Sequence, residues 1–224
     1  MLARYIDHTI LKPTTSHIEI SKICGEAIEY GFAAVCVPPP FVAIARQELG
    51  GRGGVKVATV IGFPFGYSVA AAKLAEVEQA LADGADELDV VIDLIALKAG
   101  DWTLLTDEMR LLTEKIHRAG KIVKVIIESG VLTDEEIIRC CQVYSGVGVD
   151  FLKTSTGYAE KGAGATEHAV RLMRAHLPAG IRIKASGGIR TAALAQQLID
   201  AGADRLGCSA SVEIVTAQPA AGGY

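Results

Sequence analysis

Aromatic residues are scarce in this chain: five Phe, six Tyr and one Trp among 224 residues. Its core must therefore come from Ala, Val, Ile and Leu. Half of the residues are hydrophobic, enough to bury a sizeable core without disulfides or a structural metal. Basic runs and aromatic-interleaved basic patches are also missing, and the formal net charge is −4, which sets nucleic-acid binding aside. The five cysteines are odd in number and have no C-x-x-C spacing, and Cys140 and Cys141 are neighbours on a predicted helix. That pattern reads as free thiols in a reducing cytoplasm. The opening "MLARYIDHTI" has no apolar stretch of the secretory kind. The most apolar segment, residues 55–75, is broken by Pro64 and Lys73, so no membrane span is expected. The five histidines lack ligand-like spacing, His168 and His176 being eight apart on a predicted helix, which argues against a metal site.

What is present is alternation. Short Val- and Ile-rich segments at 5–11, 33–37, 55–63, 87–92, 122–128, 151–155, 181–186 and 205–209 are often apolar on both alternating faces. Strands covered on both sides read that way, and they imply a parallel sheet. Between them lie amphipathic helical segments: one from Ser16, then 69–82, 102–119, the "EIIRCCQVY" stretch, 165–176 and 191–201. Ser16 with Glu19, and Thr133 with Glu136, form capping boxes. "ADGADELDV" and "IDAGADRLG" use one device twice, with Gly84 and Gly202 at the left-handed position that ends a helix. Eight such units without linker or low-complexity segment predict one closed (β/α)8 TIM barrel over residues 1–215, with 216–224 a flexible C-terminal tail. An open doubly wound sheet is the alternative, but the Gly-x-Gly-x-x-Gly fingerprint is missing after the first strand.

In such a barrel the C-terminal strand ends carry the chemistry. The polar residues expected there are Asp7, Cys36, Asp89, Asp93, Glu128, Lys153, Thr154, Ser155, Lys184, Ser186 and Ser209. "KASGGIRT" and "GCSAS" follow the last two strands, where these barrels commonly hold phosphate. Gly187, Gly188, Gly207 and Ser209, with Gly157 on the neighbouring loop, supply approachable backbone amides and a hydroxyl. A phosphorylated ligand is the reading. Lys153 and Lys184 lie near the ends of adjacent predicted strands. Two ammonium groups in one pocket depress a lysine pKa, and a lysine neutral part of the time attacks carbonyls. The competing reading gives one lysine to the phosphate and lets the other snorkel to water. Asp89 falls within a strongly apolar strand, where an acid needs a partner. Cys36 reads as a packed core thiol.

The segments "FLKTSTGY", "KASGGIRT", "ELDVVID", "IDHTILKP", "ATVIGFPFG" and "KVIIESGVLT" span nearly the whole chain, and with them the sequence resembles the deoxyribose-phosphate aldolase family. The resemblance implies a reversible aldol reaction without metal or cofactor. Its small-molecule partners would be the phosphosugar 2-deoxy-D-ribose 5-phosphate, D-glyceraldehyde 3-phosphate and acetaldehyde. Lys153 matches the Schiff-base lysine, Lys184 the lysine that lowers its pKa, and Asp89 the acid–base aspartate. Asp7 matches the N-terminal aspartate, and the four glycines and Ser209 match phosphate-loop positions. Ala210 stands where some members have a second serine. Tyr224, at the end of the tail, is a candidate proton relay at C2. Another Schiff-base barrel aldolase, or a phosphosugar-binding or isomerase barrel, is the alternative function. A homodimer or higher homo-oligomer is the default for such a barrel.

Overall fold

The structure is a computed structural model that describes residues 2–159 and 164–217. Eight strands, β1 (Ile6–Thr9), β2 (Ala34–Val37), β3 (Lys56–Ile61), β4 (Glu87–Val91), β5 (Ile122–Ile126), β6 (Phe151–Lys153), β7 (Arg182–Ser186) and β8 (Arg205–Cys208), pair in parallel in chain order. β8 returns to β1, with Asp7 opposite Gly207, and closes the barrel. The helices are α1 (His17–Tyr30), α2 (Val42–Leu49), α3 (Ala70–Ala82), α4 (Leu94–Lys98), α5 (Trp102–Arg118), α6 (Asp134–Val147), α7 (Glu167–His176), α8 (Ala192–Asp200) and α9 (Ser211–Thr216). Among the described residues, no helix is long and apolar enough to cross a membrane.

Local chemistry explains the boundaries. Both capping boxes form: Glu19 accepts from the Ser16 amide at 2.8 Å, and Glu136 from the Thr133 amide at 2.8 Å. Each such cap contributes about 1 kcal/mol. Gly84 and Gly202 take φ of 94° and 114° just past the ends of α3 and α8, as the sequence predicts. Three helices were not anticipated. α4 is five residues long, capped by Asp93, and α9 is six, both too short to display a period. α2 follows Pro38-Pro39-Pro40, which reads as a break but instead forms a single tight turn leading into the helix. Asp93 is therefore a cap, accepting from the Ile95 and Ala96 amides, rather than a site residue.

The main core lies between sheet and helices. Lys73, the charge that interrupts the most apolar segment, is fully buried there. Its ammonium donates to Glu108 at 2.8 Å and to the Val91 carbonyl at 2.9 Å, which satisfies the buried charge. All five cysteines are free and buried.

Candidate active site

The barrel interior divides into two halves of opposite character. One is small and apolar: Ala34 and Cys36 of β2 pack with Ala58 and Val60 of β3, flanked by Leu11 and Phe63. The other is charged. Asp7, Glu87, Asp89, Lys124, Lys184 and Lys153 are all at least 96 % buried there, with Arg205 beneath them. Strand register sets this grouping, because Asp89 lies opposite Lys124 and Lys153 opposite Lys184.

Asp89 is the hub. Its Oδ1 accepts from Lys124 Nζ at 2.8 Å, and its Oδ2 accepts from both Lys153 Nζ at 2.8 Å and Lys184 Nζ at 2.7 Å. Lys184 Nζ also lies 2.5 Å from Asp7 Oδ2, while Arg205 donates to Asp7 Oδ1 at 2.6 Å. Lys124 completes the layer against Glu87 at 2.6 Å. Among the described residues, three carboxylates thus face four cations in direct contact, Lys124, Lys153, Lys184 and Arg205, leaving one positive charge in excess.

That excess falls on Lys153. Burial works against both of the upper lysines, but Lys184 has Asp7 as well as Asp89, and its pKa is raised. Lys153 shares only Asp89 among the described residues, so burial lowers its pKa and the Lys184 charge adds to the effect. Asp89 is buried, which alone would raise its pKa, yet Lys124, Lys153 and Lys184 hold it well below the usual carboxylate range. Asp7 is depressed in the same way, burial being outweighed by Lys184 and Arg205. The layer therefore keeps its acids ionised and Lys184 charged, and makes Lys153 the easiest cation to neutralise.

Lys153 is also the group that meets the outside. It lines a pocket of about 490 Å³ together with Gly157, Ser186, Gly187, Gly188, Gly207 and Ser209. Asp7, Asp89 and Lys184 lie behind it. Gly187 and Gly188, at φ 89° and 75°, need the left-handed region that glycine takes without strain. A Cβ on Gly187 would come within 3.1 Å of Gly164 and 3.5 Å of Ser155. Among the described residues, the buried Ser155 hydroxyl has no partner for its oxygen. Tyr158 stands over the mouth, its hydroxyl donating to the Leu11 carbonyl at 2.9 Å and its ring edge-on to Phe63.

Of the expected residues, Asp7, Asp89, Lys153 and Lys184 meet in this layer, and Gly157, Gly187, Gly188, Gly207 and Ser209 line the pocket. The snorkelling alternative for the lysines fails, because both are buried and bound to one carboxylate. Asp7 binds the Lys184 and Arg205 cations through its two carboxylate oxygens. Gly207 lies within β8, not in the loop beyond it, and its missing side chain leaves room for Ser186 and Lys184. Burial raises the Cys36 thiol pKa, in keeping with a packed core residue. Lys124, Glu87 and Arg205 were not anticipated. The available signal was the strand period, since Glu87 and Asp89 alternate on β4 and Lys124 sits opposite Asp89. Tyr224 lies outside the described residues.

The chain matches the model of the DeoC/LacD family of aldolases over residues 1–211. It is 47 % identical over 215 residues to a protein of Thermococcus gammatolerans named deoxyribose-phosphate aldolase, covering 96 % of this chain and 95 % of that one. A protein of the same name from Exiguobacterium is 46 % identical over 96 % of both chains. Among solved structures, the deoxyribose phosphate aldolase of Aeropyrum pernix, described as a unique tetramer, superposes with a TM-score of 0.87 at 32 % identity. That match covers 96 % of this chain and 89 % of the other.

Proposed function

The chain belongs to the DeoC/LacD family of aldolases, and on that footing we propose that it cleaves 2-deoxy-D-ribose 5-phosphate reversibly, through a Schiff base on Lys153. The products are D-glyceraldehyde 3-phosphate and acetaldehyde, which places the reaction in the breakdown of deoxyribose phosphates. One observation carries the reading: of the four cations around Asp7, Glu87 and Asp89, the one with a lowered pKa is the one that lines the pocket.

Neutral Lys153 attacks C1 of the open-chain aldehyde, and loss of water gives an iminium. A base removes the C3 hydroxyl proton. The C2–C3 bond then breaks, its electron pair passing into the iminium to leave an enamine, while C3 becomes the aldehyde of the departing triose phosphate. Return of a proton to C2 restores the iminium, and water hydrolyses it to acetaldehyde and free Lys153. Asp89, ionised at rest, takes the C3 hydroxyl proton through a water and gives it back later in the cycle, while Lys184 keeps its charge and holds the Lys153 pKa down. Tyr224 is the tail's candidate for delivering the C2 proton. The glycine-lined end, with Gly157, Gly187, Gly188, Gly207 and Ser209, takes the 5-phosphate by its backbone amides and the serine hydroxyl. The apolar half, around Cys36 and Val60, faces the two-carbon fragment.

Exposed Phe65, Tyr67, Val69, Leu104 and Leu111 support a homo-oligomer, as does the tetramer described for the Aeropyrum protein. The five buried free thiols fit a cytoplasmic setting. The test is borohydride reduction in the presence of acetaldehyde, read by peptide mass spectrometry. A reduced two-carbon adduct on Lys153 is expected. A folded protein that binds deoxyribose phosphate yet gives no adduct overturns the Schiff base in favour of a binding or isomerase barrel.

A further inference from the structure

Glu128, which follows β5, is the one non-glycine residue with positive φ among the described residues, at 54°. Asn, Asp or Gly takes that conformation more readily than a glutamate, so the strain points to a task for the side chain. Its carboxylate is buried and, among the described residues, makes no ion pair with Lys, Arg or His. Instead it reaches across to the segment after Lys153, accepting from the Thr156 amide at 3.1 Å and from the Thr156 hydroxyl. A buried carboxylate devoted to a single threonine is costly as mere packing.

The neighbours of Glu128 grip the same segment in sequence. The Ile127 amide donates to the Lys153 carbonyl at 3.0 Å, and the Ser129 amide to the Thr154 carbonyl at 2.7 Å. The Thr156 hydroxyl oxygen in turn accepts from the Tyr158 amide at 3.0 Å, which folds the chain around Gly157. Gly157 takes φ 83°, lines the pocket, and faces Gly187. Among the described residues, Thr156 and Gly157 line the pocket and Glu128 does not, so its hydrogen bonds reach the pocket through Thr156. We propose that Glu128 is a positioning residue for the phosphate end of the pocket, fixing the Gly157 backbone through Thr156. The proposal rests on the reading that the glycine-lined end takes a sugar phosphate, and deepens it.

The test uses Glu128→Gln, Thr156→Val and the double variant of the full chain, with thermal unfolding recorded for each. Each single change is expected to lower kcat/KM for deoxyribose 5-phosphate about tenfold, chiefly through KM, as for loss of one hydrogen bond to a charged group. Because the two residues act as one relay, the double variant falls no further than the singles. Borohydride trapping of acetaldehyde on Lys153, which involves no phosphate, stays within about twofold of wild type. Equal losses in trapping and in phosphosugar turnover overturn the proposal, and so do additive losses in the double variant. Should Glu128→Gln not fold, unchanged kinetics in Thr156→Val are enough to overturn it. A wild-type chain that forms the acetaldehyde adduct but neither binds nor cleaves the phosphosugar removes the parent reading, and this one with it.

Discussion

Lys153 and Lys184 are register partners on neighbouring strands, and their two ammonium groups meet on one oxygen of Asp89. A single carboxylate oxygen cannot fully compensate both. Lys184 has a second carboxylate in Asp7, and Lys153 has no second one in contact among the described residues, so the shortage is assigned by geometry to the lysine that faces the pocket.

Replacing Lys184 by Met removes the like charge and leaves Asp89 to favour the Lys153 ammonium. The Lys153 pKa, lowered in the native protein, then rises. In the proposed mechanism turnover needs the neutral amine, so the limb of kcat/KM that climbs with pH moves to higher pH. At neutral pH the rate falls on the order of 10- to 100-fold for that reason alone. A pH–rate profile checks it; an unmoved limb would mean that burial alone sets the Lys153 pKa.

Lys153→Met should separate activity from stability. Turnover is expected to fall on the order of 10⁴-fold or more, with loss of the borohydride adduct. The layer would then hold three carboxylates against three cations, Lys124, Lys184 and Arg205. The sign follows from linkage: a lysine whose folded pKa lies below its unfolded one opposes folding at every pH below 10.5, so removing it relieves a cost. Stability unchanged, or higher by about 1–2 kcal/mol, is the outcome expected in urea unfolding. A large drop in stability would show that Lys153 is needed to neutralise the layer.

This division also explains what could be seen in advance. The alternating strands, the two capping boxes and the paired glycines after the last strands are local patterns, and the barrel, Lys153, Lys184 and Asp89 could be read from them. The charge balance could not. Lys124 looks like an ordinary strand interruption in "IVKVI", and Arg205 like an exposed strand start, until closure brings β8 beside β1 and places Arg205 on Asp7. The shift of Lys153 depends on burial together with Asp89 and Lys184, which come from three different strands, and only the closed sheet assembles them. Glu128 is similar: its left-handed backbone has no composition signal, because glutamate is an unusual choice there.

Asp7→Asn should cost stability in a pH-dependent way. Lys184 and Arg205 lose a shared counter-charge, and breaking such a buried arrangement typically costs about 3–5 kcal/mol. Asp7 has a folded pKa below its unfolded value of 3.8, so its contribution is full above that value and is lost as pH falls through the folded one. Thermal melts should show the largest gap between wild type and variant near neutrality, narrowing below about pH 4. A gap that stays constant with pH would point to lost packing rather than lost charge.

Gly207→Ala tests whether the empty side-chain position in β8 serves the lysine. The backbone there is not left-handed, so alanine introduces no conformational strain. Its methyl carbon would lie 2.9 Å from Ser186 Cβ and 3.2 Å from Lys184 Cε, too close for either to stay in place. Overpacking of this kind costs about 1–3 kcal/mol, partly offset by the about 0.4–1 kcal/mol that a Gly-to-Ala change recovers from the unfolded chain. The net loss of stability should be about 0–2.5 kcal/mol, while Lys184 is displaced from the Asp89 oxygen that it shares with Lys153. The pH–rate limb should then move in the same direction as in Lys184→Met, but less far, and phosphosugar KM should change less than kcat. If KM rises alone and the limb stays fixed, Gly207 serves the phosphate end of the pocket and not the lysine pair.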